Sequence, residues 1–427
     1  MALLFLCFFV LLVVGVPIAF VICASSAVYL SATDLSPLIL LVQKAVAGVD
    51  SFPLMAIPLF IIMGYLMEAA GLSQRLIDWT EIFFGRVTGG LGMIAVVSSA
   101  IFAALTGSGP ATVAAIGTIM VPRMIEKGYP RGAAAGLASA SASLGPIIPP
   151  STVMIIYATT MGNVAITELF MAGITPGILI ALLFCLINHY YAKNVWHLPK
   201  DTTRYTFRQV MHLTLKALPT LLLPIIILGG IYGGVFTPTE AGAVGAVYSI
   251  VLGLVYRTLT PRKFAEALKK SLESSAMAGF LIGMSSIFCW IIAAAKIPAQ
   301  IVDALMPLLN GSTLVFWIVF LLLLLVAGCV LEALSAVVIL APILVPVGLA
   351  MGVEPLHIAI VFCVTMTIGV ITPPFGGVLF TTVSITKTPF GEVAKGQVPY
   401  ILAMVLVVIL MAAFPDLALW LPHIMPS

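Results

Sequence analysis

Residues 91–122 read LGMIAVVSSAIFAALTGSGPATVAAIGTIMVP. The run carries no charged residue and is long for one crossing of a bilayer, which takes about 20 apolar helical residues. Its middle is Thr106-Gly107-Ser108-Gly109-Pro110-Ala111-Thr112. Glycine lets the backbone turn there, and proline disfavours helix in the residue before it. Two arms of about 14 residues, each about 21 Å of helix, therefore meet short of a hydrocarbon core roughly 30 Å thick. We read a re-entrant hairpin over about 91–124. Non-helical backbone at that depth is tolerated only where protein buries it or where it lines a cavity.

The rest of the chain has the same character. Of its 427 residues, 62% are hydrophobic and 8% charged, against about 25% charged in a soluble domain. A water-soluble fold is excluded, and the lipid bilayer is the first partner. The net charge of +3 gives no case for nucleic acid, because the basic residues sit in short loops between apolar spans. Cys7, Cys23, Cys185, Cys289, Cys329 and Cys363 lie in apolar runs without a CxxC pair, so they read as small buried hydrophobes. The N-terminal run, about Leu3 to Tyr29, lacks a basic leader and a cleavage motif, and is expected to be one retained transmembrane helix.

Charge sets the topology. Residues 313–347 form a second long run with a polar interruption, and give a second hairpin over about 313–348. If both hairpins enter and leave on one face while the other spans cross once, 17 of the 19 Lys and Arg share a side, with only Lys44 and Lys296 opposite. The positive-inside rule makes that side cytoplasmic. Two amphipathic stretches, Gly71 to Thr88 and Ala299 to Leu309, read as interfacial helices.

The two halves, 1–212 and 213–427, repeat. A shift of 224 places Val121-Pro122 on Val345-Pro346, Gly128 on Gly352, Gly145 on Gly369 and Pro149-Pro150 on Pro373-Pro374, with 10 identities in 44 positions from Gly107 to Pro150. Matched glycines and prolines mark shared backbone breaks, so about 131–161 and about 355–386 read as broken helices. On the charge map the hairpins enter from opposite faces. The fold class is an all-α polytopic membrane protein with an inverted-topology repeat, two re-entrant hairpins and two broken helices. That is the pattern of secondary transporters, with the site at the repeat interface.

Four elements carry the chemistry. The Ser and Thr hydroxyls of the first tip suit a hard monovalent cation, and Ser108 is placed to cap the returning arm. Pro149 and Pro150 free carbonyls near Gly145 to Ile148, and Ser151-Thr152 follow. Their repeats are Ala327 to Ser335 and Gly369 to Gly377. Glu332 falls where Ser108 stands in the first half, and a carboxylate deep in a membrane segment is costly and functional by default. It serves to hold a cation, to shuttle a proton or to cap the second arm; the sequence leaves all three open. Together the elements point to two cation sites. The histidines are scattered, no phosphate loop ends in Lys-Ser or Lys-Thr, and no catalytic triad or zinc motif is present, so neither an enzyme nor a bound cofactor is expected. No Lys or Arg falls at mid-membrane depth, so an anionic substrate would be met by helix N-termini, hydroxyls and co-bound cations. Thr237-Pro238-Thr239-Glu240 reads as a capping box.

The stretches GSGPATVAAIG, GPIIPPS, FTPTEAGAVGAVY, LEALSAVVILAPILVPV and ITPPFGGVLF resemble the large membrane subunit of tripartite ATP-independent periplasmic (TRAP) transporters, over nearly the whole chain. The resemblance implies an elevator-type, sodium-coupled importer of a small organic anion in a bacterial inner membrane, with Na+ as coupling ion and no other metal. Substrates of that family are carboxylates, including C4-dicarboxylates and sialic acids. It also implies a periplasmic substrate-binding protein and a small four-helix membrane subunit, expected here as a separate chain. By similarity, sodium ligands map onto Thr106, Gly107 and Ser108 with Gly145, Pro149 and Ser151, and onto Gly328 and Glu332 with Gly369 and Thr372. The substrate contacts map onto Ser108, Thr112, Ser335, Pro150 and Pro374. A self-sufficient sodium/divalent-anion symporter shares the two-hairpin plan but usually carries Ser-Asn-Thr at its tips, which is absent here. A channel is the other rival within transport.

Overall fold

In lipid an unpaired backbone N–H or C=O has no water to turn to, and a helix pairs its own. The computed structural model describes residues 2–33, 35–200, 205–309, 311–374 and 376–425, and every regular element among them is helical. Eight helices among the described residues are long and apolar enough to cross a bilayer.

The chain opens with α1 (Ala2–Val13), α2 (Ile18–Thr33) and α3 (Ile39–Val49), then a 3-10 turn into α4 (Ala56–Ala69), and α5 (Leu72–Phe84). The first hairpin is α6 (Gly90–Thr106), α7 (Gly109–Thr112), a π turn over Val113–Gly117 and α8 (Thr118–Glu126). Helices α9 (Arg131–Ala142) and α10 (Thr152–Met161) are the two pieces of a broken helix, followed by α11 (Ile166–Asn194). Next come α12 (Phe207–Tyr232), α13 (Pro238–Val255), α14 (Pro261–Ala294) and the short α15 (Ile297–Leu309). The second hairpin is α16 (Thr313–Val330) and α17 (Ala333–Ala350), and α18 (Pro355–Gly369) and α19 (Gly377–Thr386) are again two pieces of a broken helix. Helices α20 (Phe390–Ala413) and α21 (Asp416–Ile424) close the chain.

Three sequence expectations change. The run from Leu3 to Tyr29 is two helices that pack on each other, not one crossing. Gly15 adopts φ +87° and Pro17 has no N–H to continue a helix, so the chain turns between them. A further short helix, α3, forms where no span is read. The hairpin arms are also longer than about 14 residues: α6 has 17, and α16 and α17 have 18 each. Each tip consumes only two non-helical residues, so an arm reaches about 27 Å.

The capping box at the start of α13 forms as read. Thr237 Oγ1 accepts from the Glu240 N–H at 3.3 Å, and Glu240 accepts from the Thr237 N–H at 2.8 Å.

Packing pairs recur at the same spacing of 224. Helix α9 lies along α20 and α18 along α11, so each broken helix leans on a long helix of the other half. Likewise α4 packs on α13 and α14 on α2, where the rings of Phe20 and Phe280 are 5.2 Å apart. The α9–α20 contact is made possible by glycine. A Cβ on Gly136 would lie 2.5 Å from the Gly396 carbonyl carbon and 2.7 Å from the Gln397 nitrogen. Gly136→Val therefore forces the helices apart at a cost of roughly 1–3 kcal/mol or more. We expect a clearly lower thermal midpoint in detergent; an unchanged midpoint would contradict this packing.

Basic side chains gather at one end. The Arg75 guanidinium stacks 3.5 Å from the centre of the Tyr256 ring and donates to the Lys216 carbonyl at 3.4 Å. On the same helix Glu81 pairs with Arg123 at 2.9 Å, and Arg131 donates to the Lys387 carbonyl and to Thr388 Oγ1. Lys44 instead lies over Trp290, at the end of α14 that leads to Lys296. Arg204 lies outside the described residues.

Candidate functional site

Both hairpin tips open into one cavity of about 530 Å³. Thr106 to Ala111 and Glu332 to Ser335 both line it, and Pro146, Thr152 and Val370 come from the helix breaks.

The first tip forms because Gly107 takes φ +59°, which ends α6 with its N–H on the Ala103 carbonyl at 3.0 Å. Ser108 is extended and starts the returning arm with Pro110 in its first turn. The expected side-chain cap does not form; the Ser108 carbonyl accepts from Thr112 Oγ1 at 2.8 Å and from the Thr112 N–H at 3.1 Å. Half-buried Ser108 lines the cavity, and Thr112 is buried, with Thr106 Oγ1 3.3 Å from Thr112 Oγ1.

The first break closes over this tip. Thr152 Oγ1 donates to the Gly107 carbonyl at 3.2 Å, and any side chain at Gly107 would strike the Pro150 carbonyl. Gly145 packs on the backbone of Ser108 and Gly109, where a Cβ would be 2.8–2.9 Å away. Ser151 caps α10, accepting from the Met154 N–H at 3.3 Å, and donates to the Pro146 carbonyl at 2.6 Å.

The second tip repeats the plan with different chemistry. Leu331 and Glu332 are extended, and Glu332 occupies the N-cap of α17. Its carboxylate faces the N–H groups of Leu334 and Ser335 without full capping geometry, and remains exposed to the cavity. Gly328 and Gly369 meet backbone to backbone, joining this tip to its break. Thr372 Oγ1 is turned back onto the Ile368 carbonyl at 2.6 Å. Both Pro149-Pro150 and Pro373-Pro374 are cis. Pro374 is exposed and is not on the cavity wall, and neither are Pro149, Gly145 or Gly328. Phe375 lies outside the described residues.

The cavity also uses residues that sequence reading passes over. Tyr65 on α4 and Ser274 on α14 share a hydrogen bond of 3.1 Å at its edge, and Pro17 to Phe20, at the start of α2, form part of its wall. The Gly15-Val16-Pro17 punctuation inside an apolar run is the signal that marks the second of these. Among the described residues no Lys or Arg lines the cavity, and no cluster of three His, Cys, Asp or Glu suits a metal ion.

The sequence pattern of one family, "Tripartite ATP-independent periplasmic transporter, DctM component", matches residues 5–417. The chain belongs to this family. It is 33% identical over 417 residues to the sialic acid TRAP transporter large permease protein SiaM of Vibrio cholerae, covering 97% of this chain and 96% of that one. It is 36% identical over 416 residues to the isethionate TRAP transporter permease protein DctMQ of Oleidesulfovibrio alaskensis, covering 97% of this chain and 65% of the longer relative. The fold is similar to the crystal structure of the Alcanivorax borkumensis YdaH transporter, at a TM-score of 0.67 and 16% identity over 96% of this chain and 98% of that one. The TRAP resemblance is thus borne out. The chain is a multi-pass large permease component of a tripartite system, not an enzyme.

Proposed function

We propose that this TRAP permease imports a small organic acid, of the sialic acid or C4-dicarboxylate class, by coupling it to sodium in an elevator motion. The observation that carries the reading is the convergence of both tips on one cavity that holds Glu332 and, among the described residues, no basic side chain. Two carboxylates 4 Å apart repel by roughly 4 kcal/mol at an effective dielectric of 20. A cation held by the hydroxyls and carbonyls of each tip reverses that sign, so substrate and ion bind together or not at all. The recurring packing pairs at a spacing of 224 support an inverted repeat, in which the hairpins and broken helices move as one body. The basic end faces the cytoplasm of a bacterial inner membrane, and a small four-helix subunit and a periplasmic binding protein complete the system. The substrate class draws on the relative named for sialic acid; the relative named for isethionate extends it to a sulfonate.

Uptake of labelled acids into liposomes tests this directly, with the two partners added or withheld and with or without an inward sodium gradient. Saturable uptake that needs both partners and sodium is expected. Uptake by the permease alone would remove the partners, and uptake indifferent to sodium would remove the coupling.

A further inference from the structure

The shift that pairs the two tips also pairs Gly173 on α11 with Gln397 on α20, and Ile147 with Ile371 in the two breaks. The contacts match. A Cβ at Gly173 would lie 2.6 Å from the Ile147 carbonyl oxygen, so the backbone of α11 rests directly on it. In the other half the Gln397 side-chain amide donates to the Ile371 carbonyl. Among the described residues no backbone N–H outside the regular helices bonds to either carbonyl. Gln397 is fully buried, and its Oε1 has no hydrogen-bond partner. A half-satisfied amide inside a membrane span is costly, and its one bond goes to a carbonyl in the broken turn, two residues ahead of Pro373-Pro374.

We infer that Gln397 is a positioning residue for the second cation site. By holding Ile371 it keeps Gly369 against Gly328 and Val370 on the cavity wall near Glu332. The first site is held by the close approach of Gly173 instead. At this matched carbonyl the two sites are therefore secured by different means, a backbone approach in the first half and a side-chain amide in the second. This inference rests on the sodium reading above.

The test is Gln397→Met, which keeps length and apolar bulk but has no amide, assayed with both partners in liposomes against sodium concentration. Half-saturating sodium should rise about five- to tenfold, the worth of one lost hydrogen bond, with the maximal rate at high sodium retained. A lower maximal rate with unshifted half-saturation would show a merely structural role and overturn the inference. Where the Met variant does not reach the membrane, Gln397→Asn is read the same way, because its amide is one methylene short of the carbonyl. Wild-type uptake indifferent to sodium would overturn the sodium reading and this inference together. A sodium-dependent wild type with an unshifted variant overturns this inference alone.

Discussion

Glu332→Gln is expected to leave the permease in the membrane but to abolish uptake at low sodium. The substitution keeps the side chain's size and removes its charge. A carboxylate about 4 Å from a sodium ion contributes roughly 4 kcal/mol at an effective dielectric of 20, and about half of that survives if the pair is partly hydrated. Each 1.4 kcal/mol is about tenfold in affinity, so half-saturating sodium should rise at least about thirtyfold. Ser108→Ala removes a neutral oxygen from the other tip and should weaken sodium by only about five- to tenfold. The order of the two effects follows from what the tips present: one a cavity-exposed carboxyl group, the other a hydroxyl that caps nothing. Sodium titration of initial uptake rates reads both. Full sodium dependence retained in both variants would refute the placement of the ions at the tips.

The second large effect is expected from Gly369→Ala. A Cβ there would fall on the carbonyl carbon and oxygen of Gly328. Both atoms are backbone, so no side chain can swing aside, and tip and break must separate. A displacement on the order of 1 Å at a binding site can cost about a hundredfold in rate. Gly145→Ala should do the same to the first tip, where the obstacles are Ser108 and Gly109. Gly377→Ala is the control, because nothing lies within 4 Å of a Cβ at that position. If Gly369→Ala transports as well as Gly377→Ala, the tip and the break do not meet as described.

Much of this arrangement is legible in the sequence because the punctuation stands out. In a span that must be helical, Thr106-Gly107-Ser108-Gly109-Pro110 and the two Pro-Pro pairs have no reason to be present unless the helix stops there. The capping box at Thr237 is read from local chemistry and forms locally. What escapes is decided by contacts far apart in the chain. Tyr65 and Ser274 are ordinary until α4 and α14 meet. The Ser108 cap is a sound local expectation, but the side chain caps no backbone N–H and the residue lines the cavity instead. Pro374 marks the second break correctly, yet it is Val370 and Val378, on either side of the turn, that reach the cavity wall. The fold of α1 onto α2 was signalled by Gly15 and Pro17, but a single apolar run of that length satisfies the simpler reading of one crossing.

The pairing of α9 with α20 has a consequence for how the molecule is made. Helix α9 ends at Ala142 and its most extensive neighbour begins at Phe390, so about 250 residues separate their synthesis. At about 5–20 residues per second, α9 waits roughly 12 to 50 s for its partner. During that interval its face is Gly132, Ala133, Ala135, Gly136 and Ser139. Such small residues suit a neighbour whose backbone comes equally close. Gly396 supplies that closeness, so the contact of α9 with α20 forms only after nearly the whole chain has entered the bilayer.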